Sequence, residues 1–79
     1  MPHEIGHNIF YSEILRFAQL TSERENFVNM VKRLYDMLVG RGYQKSSLIT
    51  KFRKVMGKNC HILTKYNVCD IKVIEDKIF

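Results

Sequence analysis

Apolar residues recur at helical spacing along most of this 79-residue chain. Over residues 9–20 they fall on one side of a helical wheel, and Asn8 stands where an N-cap is expected. A second segment opens with Ser22 and Glu25 in the spacing of a capping box, and its apolar positions cover an arc of about 200°. An arc this wide predicts a central helix that contacts two neighbours, with Gly40 as the stop residue just beyond its end.

A third amphipathic segment is predicted to begin at Ser46 or Ser47 and to run to about Met56, before Gly57 and Asn59 end the helix. Its apolar stripe spans about 120° and consists of Leu48, Ile49, Phe52, Val55 and Met56. Lysines gather within about 60° on the other side of the wheel, namely Lys51, Lys54 and Lys58, with Arg53 and Thr50 expected beside them. The pattern therefore predicts one helix with a core stripe and a cationic side.

The tail, residues 60–79, is ambiguous in its periodicity. Residues 62–66 include side chains typical of strands, whereas Ile71, Ile74 and Ile78 repeat at helical spacing. We expect a short turn near Asn67 and a final helix from about Val68. The whole pattern predicts one small all-α domain of three to four helices over residues 1–79, in which residues 1–7 are disordered or weakly ordered.

Length and composition exclude several classes of protein. With 46% hydrophobic and 27% charged residues the chain is globular, and its length excludes an enzyme with separate cofactor and substrate domains. Neither a membrane-spanning run nor a signal-peptide pattern is found. Two cysteines, Cys60 and Cys69, are too few for a secreted disulfide scaffold, so we expect reduced thiols in an intracellular protein, nuclear or cytoplasmic. A single disulfide between them stays the alternative.

The positive charge is concentrated in one segment of the chain. Thirteen Lys and Arg stand against eight Asp and Glu, a formal charge of +5, and residues 41–65 contain seven basic residues and no acidic one. Solvated helix faces usually mix signs, so this segment indicates an acidic partner, most commonly nucleic acid, with a plain solvated surface as an equal alternative. The residues predicted to bind nucleic acid are Arg41, Lys45, Lys51, Arg53, Lys54 and Lys58. Tyr43 and Tyr66 are candidates for base stacking, with half-buried core positions as the alternative.

Two motifs invite a catalytic or metal interpretation, and neither has the required context. Residues 3–7 read H-E-I-G-H, the letters of a zinc-protease helix, but the match lies at the chain terminus and lacks a third ligand downstream. Cys60, His61 and Cys69 do not have the spacing of a structural zinc site, so we expect Cys60 to be a buried free thiol beside a surface histidine. The sequence predicts no catalytic residue, no metal and no cofactor.

The order of several short motifs resembles a known family. Residues 11–16 (Y-S-E-I-L-R) precede an apolar helix, followed by R-G-Y at 41–43 and K-F-R-K at 51–54. This order is similar to the thumb-like helical region that follows the palm in Penelope-like and related reverse transcriptases of animal retroelements. The resemblance covers about residues 8–66, and it departs from the family at Gln44, where a proline is usual.

The resemblance implies a non-catalytic module that grips a template–primer duplex through its backbone. Arg16, Arg41 and the lysines of the third helix match basic positions of the family, while the paired aspartates of the palm are missing. A helix-turn-helix reader is a second fit, but the connection before the third helix is long and that helix opens without Arg or Asn for base contacts. The rival from another class is a helical protein-interaction module, in which the apolar face of residues 27–39 pairs with a partner or with a second copy.

Overall fold

The computed structural model describes the backbone of residues 2–79 and the side chains of residues 8–79. Its helices are α1 Pro2–Leu20, α2 Arg24–Gly40, α3 Lys45–Lys58, α4 Cys60–Lys65 and α5 Ile71–Ile78, and the described backbone contains no strand. The all-α class is confirmed, with five helices rather than three or four. Met1 and the side chains of residues 1–7, including those of the H-E-I-G-H motif, lie outside the described residues, so the expectations for them stay predictions.

The core is built from the apolar positions of all five helices. Helix α1 packs against α3 and α2, α2 also packs against α5, and α3 contacts α4. The largest side chains that are fully buried are Phe10, Phe27, Phe52, Ile14, Leu48, Met56, Ile62, Ile74, Val31 and Val55. The wide apolar face of α2 is therefore covered by two neighbours, as its arc predicts. No helix within residues 2–79 is both long and apolar enough to cross a lipid bilayer.

The starts of α1 and α2 differ from the prediction. Helix α1 runs straight through Asn8, which is therefore not an N-cap. Helix α2 begins after Glu23, and the predicted capping box at Ser22 is wrong. The hydroxyl of Thr21 accepts a hydrogen bond from the Glu23 amide at 3.1 Å, and the Glu23 carbonyl accepts the first bond of the helix from the Phe27 amide. Because Thr21 already orients this short connection, the helical register starts one residue later than the motif suggests.

The end of α2 is set by Gly42 rather than by Gly40. Gly40 is the last helical residue, while Gly42 has a φ of 102°, in the left-handed region. The Gly42 amide donates to the Val39 carbonyl at 3.0 Å, and the Tyr43 amide donates to the Leu38 carbonyl at 3.1 Å. These two bonds form a Schellman motif, which satisfies the last carbonyls of the helix.

Helix α4 ends in the same way, with asparagine in place of glycine. Asn67 has a φ of 56°, and the Val68 amide donates to the Leu63 carbonyl at 2.9 Å. The expected turn near Asn67 is therefore confirmed, while the strand-like residues before it are helical. The last helix begins at Ile71 rather than Val68, because the Asp70 side chain caps it by accepting from the Lys72 amide at 3.0 Å.

Helix α3 carries the predicted core stripe and is slightly longer than predicted at both ends. Leu48, Phe52, Val55 and Met56 are buried, and Ile49 is half-buried. Asn59 closes the helix with both its backbone amide and its side-chain amide, which donate to the Val55 carbonyl at 3.0 and 2.8 Å. Helix α4 follows at once, so α3 is held at its carboxyl end by the turn into the next helix.

Candidate nucleic-acid interface

Three of the six predicted cationic residues lie together on one flank of α3. Lys51, Lys54 and Lys58 share a single uninterrupted helix, and their spacing keeps them within about 60° of one another. We call these three residues the lysine ridge. Of the carboxylates among the side chains of residues 8–79, none forms an ion pair with a member of the lysine ridge. The ridge therefore keeps its positive charge unneutralised by the described part of the protein.

The lysine ridge borders a shallow groove at the start of α3. The groove has a volume of about 260 Å³ and is lined by Ser46, Ser47, Thr50, Lys51 and Lys54. The first turn of α3 contains no acidic residue, and the N-cap residue makes no side-chain capping bond. The amino end of α3, which is the positive end of its dipole, and the side chains of Lys51 and Lys54 therefore border the same groove. This combination favours anions over cations.

Arg53 does not belong to this surface, contrary to the prediction. It lies between about 100° and 160° from the ridge lysines around the helix axis. Its guanidinium donates to the Glu75 carboxylate of α5 at 2.7 Å, and this hydrogen bond, followed by the charge of Glu75, raises the pKa of Arg53. Glu75 is itself only 8% exposed. The pair joins α3 to α5 and neutralises the charge that Arg53 was expected to offer.

Arg41 and Lys45 are exposed but stand apart from the lysine ridge. Arg41 is the C-cap of α2, in the turn before α3, and Lys45 is the first residue of α3. Neither forms an ion pair with a described carboxylate. They supply positive charge near the amino end of α3 without sharing the flank of the three lysines.

Neither tyrosine proposed for stacking presents a free ring. Tyr66 is 3% exposed, packs against Phe27 with ring centroids 4.9 Å apart, and donates its hydroxyl to the Thr21 carbonyl at 2.7 Å. Burial raises the pKa of Tyr66. Tyr43 is half-buried and packs against the core. Both tyrosines therefore pack in or against the core, which was the alternative to base stacking.

The cysteines occupy the surface, so the expectation of a buried thiol at Cys60 is wrong. Cys60 and Cys69 are both exposed and free, and His61 beside Cys60 is exposed as well. The reason is positional, since Cys60 starts α4 at the tight junction after α3 and Cys69 lies in the turn before α5. Within residues 8–79 the structure groups no three side chains that could hold a metal ion.

The apolar face on which the protein-interaction alternative depends is buried inside the molecule. Phe27, Val31 and Leu38 are at most 2% exposed. Of the large apolar residues of this face, Met37 is the exposed one, at 45%. This face packs α2 against α1 and α5. It is therefore not exposed for a partner helix to bind.

Comparison with known proteins gives no match, since no family model, curated protein or solved structure is significantly similar to the chain. The resemblance to the thumb-like region of retroelement reverse transcriptases therefore stays a prediction from the motifs alone.

Proposed function

We propose that this chain binds nucleic acid without catalysing a reaction, and that the lysine ridge contacts the phosphate backbone. The observation that carries the proposal is the placement of three lysines on one flank of one helix, with no carboxylate neutralising them among the described side chains. Along the helix axis, Lys51 and Lys58 are about 10 Å apart. A duplex presents one phosphate of each strand for about every 3.4 Å of its axis, so a span of this length can face more than one phosphate.

The contacts are to backbone rather than to bases. Lysine ammonium groups act as point charges suited to phosphate, whereas the rigid bidentate forks of Arg, Asn or Gln, which fix a base pair's identity, are missing from the ridge. The groove beside the ridge offers hydroxyls, but the Thr50 hydroxyl already donates to the Ser46 carbonyl at 2.9 Å. We therefore propose binding with little dependence on base sequence.

The revised set of binding residues is smaller than the set predicted from the sequence. It consists of the lysine ridge, supported at longer range by the exposed charges of Arg41 and Lys45. Arg53 is omitted because its charge is paired with Glu75. The resemblance to a reverse-transcriptase thumb, which includes the lysines of the ridge, favours the same function and implies no catalytic residue in this chain.

The decisive test reverses two charges of the lysine ridge. We expect the double variant Lys51→Glu with Lys54→Glu to lose about tenfold or more in affinity, because two phosphate contacts are removed. Fluorescence anisotropy with duplex DNA, RNA–DNA hybrid and single strands measures this loss between about 50 and 200 mM salt. The slope of log affinity against log salt should fall by about 2.

The matched control makes the same change in net charge on helices other than α3. Lys32 on α2 and Lys72 on α5 are both exposed, so Lys32→Glu with Lys72→Glu reproduces the change in total charge. This control should retain most of the affinity. Equal losses of affinity in the two double variants would show that total charge, and not the lysine ridge, determines binding. Unchanged affinity in the ridge variant would refute the proposal.

A further inference from the structure

We infer that Tyr11 of α1 is a positioning residue of the lysine ridge, which holds the Lys51 ammonium group where a phosphate binds. The inference rests on the proposed function and extends the binding surface from α3 to α1. Its basis is a cation–π contact, in which the Lys51 ammonium lies over the Tyr11 ring, 5.9 Å from the centroid. This distance is within the range at which the ring quadrupole attracts a cation.

The contact is a product of the fold rather than of local sequence. Two other contacts of this kind, Arg16 over Phe17 and Lys65 over Tyr66, join neighbours in the chain. The contact between Lys51 and Tyr11 joins α3 to α1, the two helices that pack most extensively. Its geometry therefore depends on the same packing that forms the core.

Both partners are held at the boundary between core and surface. Tyr11 is partly buried and packs against the core. Lys51 is separated from the buried Val55 by only about 40° around the helix axis, and it is half-buried where Lys54 and Lys58 are exposed. The Lys51 stem can thus cover apolar surface while its ammonium stays in contact with the solvent.

This restraint affects binding through conformational entropy. A free lysine side chain samples many rotamers, and most of that freedom is lost when the ammonium binds a phosphate. If the Tyr11 ring already restricts the Lys51 side chain, less conformational entropy is lost when Lys51 binds a phosphate. The ammonium has three N–H donors, so those directed away from the ring remain available to phosphate oxygens. Lys51 should accordingly contribute more to affinity than the unrestrained Lys54 and Lys58.

A double-mutant cycle tests the coupling between the two residues. Tyr11→Leu removes the ring, Tyr11→Phe retains it, and Lys51→Met removes the charge while keeping an unbranched stem. With duplex DNA at fixed salt, we expect Tyr11→Leu to weaken binding about two- to fivefold, toward the lower end of the cost of immobilising one rotamer-rich side chain on binding. Tyr11→Phe should bind like the unaltered protein. In the Lys51→Met background, Tyr11→Leu should cause no further loss.

A loss from Tyr11→Leu that persists in the Lys51→Met background would overturn the inference, because the ring would then act on the nucleic acid directly or through the fold. A Tyr11→Leu variant that binds normally would overturn it as well. Thermal unfolding of each variant separates a loss of affinity from a loss of structure. If instead reversing the charges of the lysine ridge leaves affinity intact, the proposed function fails irrespective of this cycle.

A measurement on the free protein needs no ligand. Protons above an aromatic ring are shielded, so the ε-methylene protons of Lys51 should resonate upfield of those of Lys54 and Lys58 in an NMR spectrum. The difference should persist in Tyr11→Phe and disappear in Tyr11→Leu. Identical shifts for the three lysines in the unaltered protein would show that the contact does not restrain Lys51, and the inference would be wrong.

Discussion

At the scale of single residues, Arg53 and Lys54 are neighbours in the sequence that the fold places in different surroundings. Lys54 lines the groove beside the lysine ridge, whereas Arg53 is bound to the Glu75 carboxylate. Their position on the wheel, about 100° apart, already separates them. The partner of Arg53 lies 22 residues further along the chain, on a helix whose limits the periodicity left open. Such a long-range ion pair has no local signature, which is why the sequence grouped Arg53 with the lysines.

These surroundings predict opposite effects for the two residues. Arg53→Ala should lower the melting temperature, because the poorly exposed Glu75 carboxylate loses its partner. It should leave the affinity for nucleic acid close to that of the unaltered protein. Lys54→Ala is the matched control, and it should weaken binding at an unchanged melting temperature. The assignment of Arg53 to the fold is contradicted if Arg53→Ala reduces affinity as much as Lys54→Ala does.

At the scale of elements, the interiors of the helices are readable from the sequence and their ends are not. Buried positions such as Phe10, Ile14 and Phe52 follow the apolar repeat directly, since a helix must bury one stripe. The ends depend on which of several candidate residues the connecting turn uses. Thr21 displaces the expected capping box, and Gly42 rather than Gly40 takes the left-handed position. Both alternatives were compatible with the local sequence, and the hydrogen bonds of the connecting turns distinguish between them.

The end of α2 gives a prediction with opposite signs for two nearby glycines. Gly42→Ala should destabilise the protein by about 1 kcal/mol or more, because alanine is strained at a positive φ. Gly40→Ala should stabilise it by about 0.5 kcal/mol, because Gly40 is helical and a Cβ there meets no atom within 4 Å. Urea unfolding of the two variants measures both changes. If Gly40→Ala is the more destabilising of the two, α2 ends where the sequence alone suggested.

At the scale of the whole molecule, the tail completes a core that the first three helices leave open. Ile74 and Ile78 of α5 are buried, and the terminal Phe79 ring packs edge-on against Tyr35 of α2 and Phe52 of α3, at centroid distances of 4.7 and 5.4 Å. The periodicity of residues 60–79 was ambiguous because helices of six and eight residues contain too few turns to define a stripe. The contribution of residues 71–79 to the core is evident only from their contacts with α2 and α3.

We therefore expect the chain to lose its cooperative fold when residues 71–79 are deleted. A domain of this size has only a few kcal/mol of net stability, and burial of a single isoleucine such as Ile74 contributes about 2 to 5 kcal/mol by the cost of its replacement with alanine. The deletion also removes the partner of Arg53 and uncovers apolar surface on α2. Circular dichroism should show a broad, weakly cooperative melt, and light scattering should show association through the exposed face.

The single variant Lys77→Ala, at an exposed position of the same helix, should melt like the intact protein. A truncated chain that remains monomeric and melts cooperatively at the original temperature would mean that the first four helices form the folded unit, with α5 an addition to it.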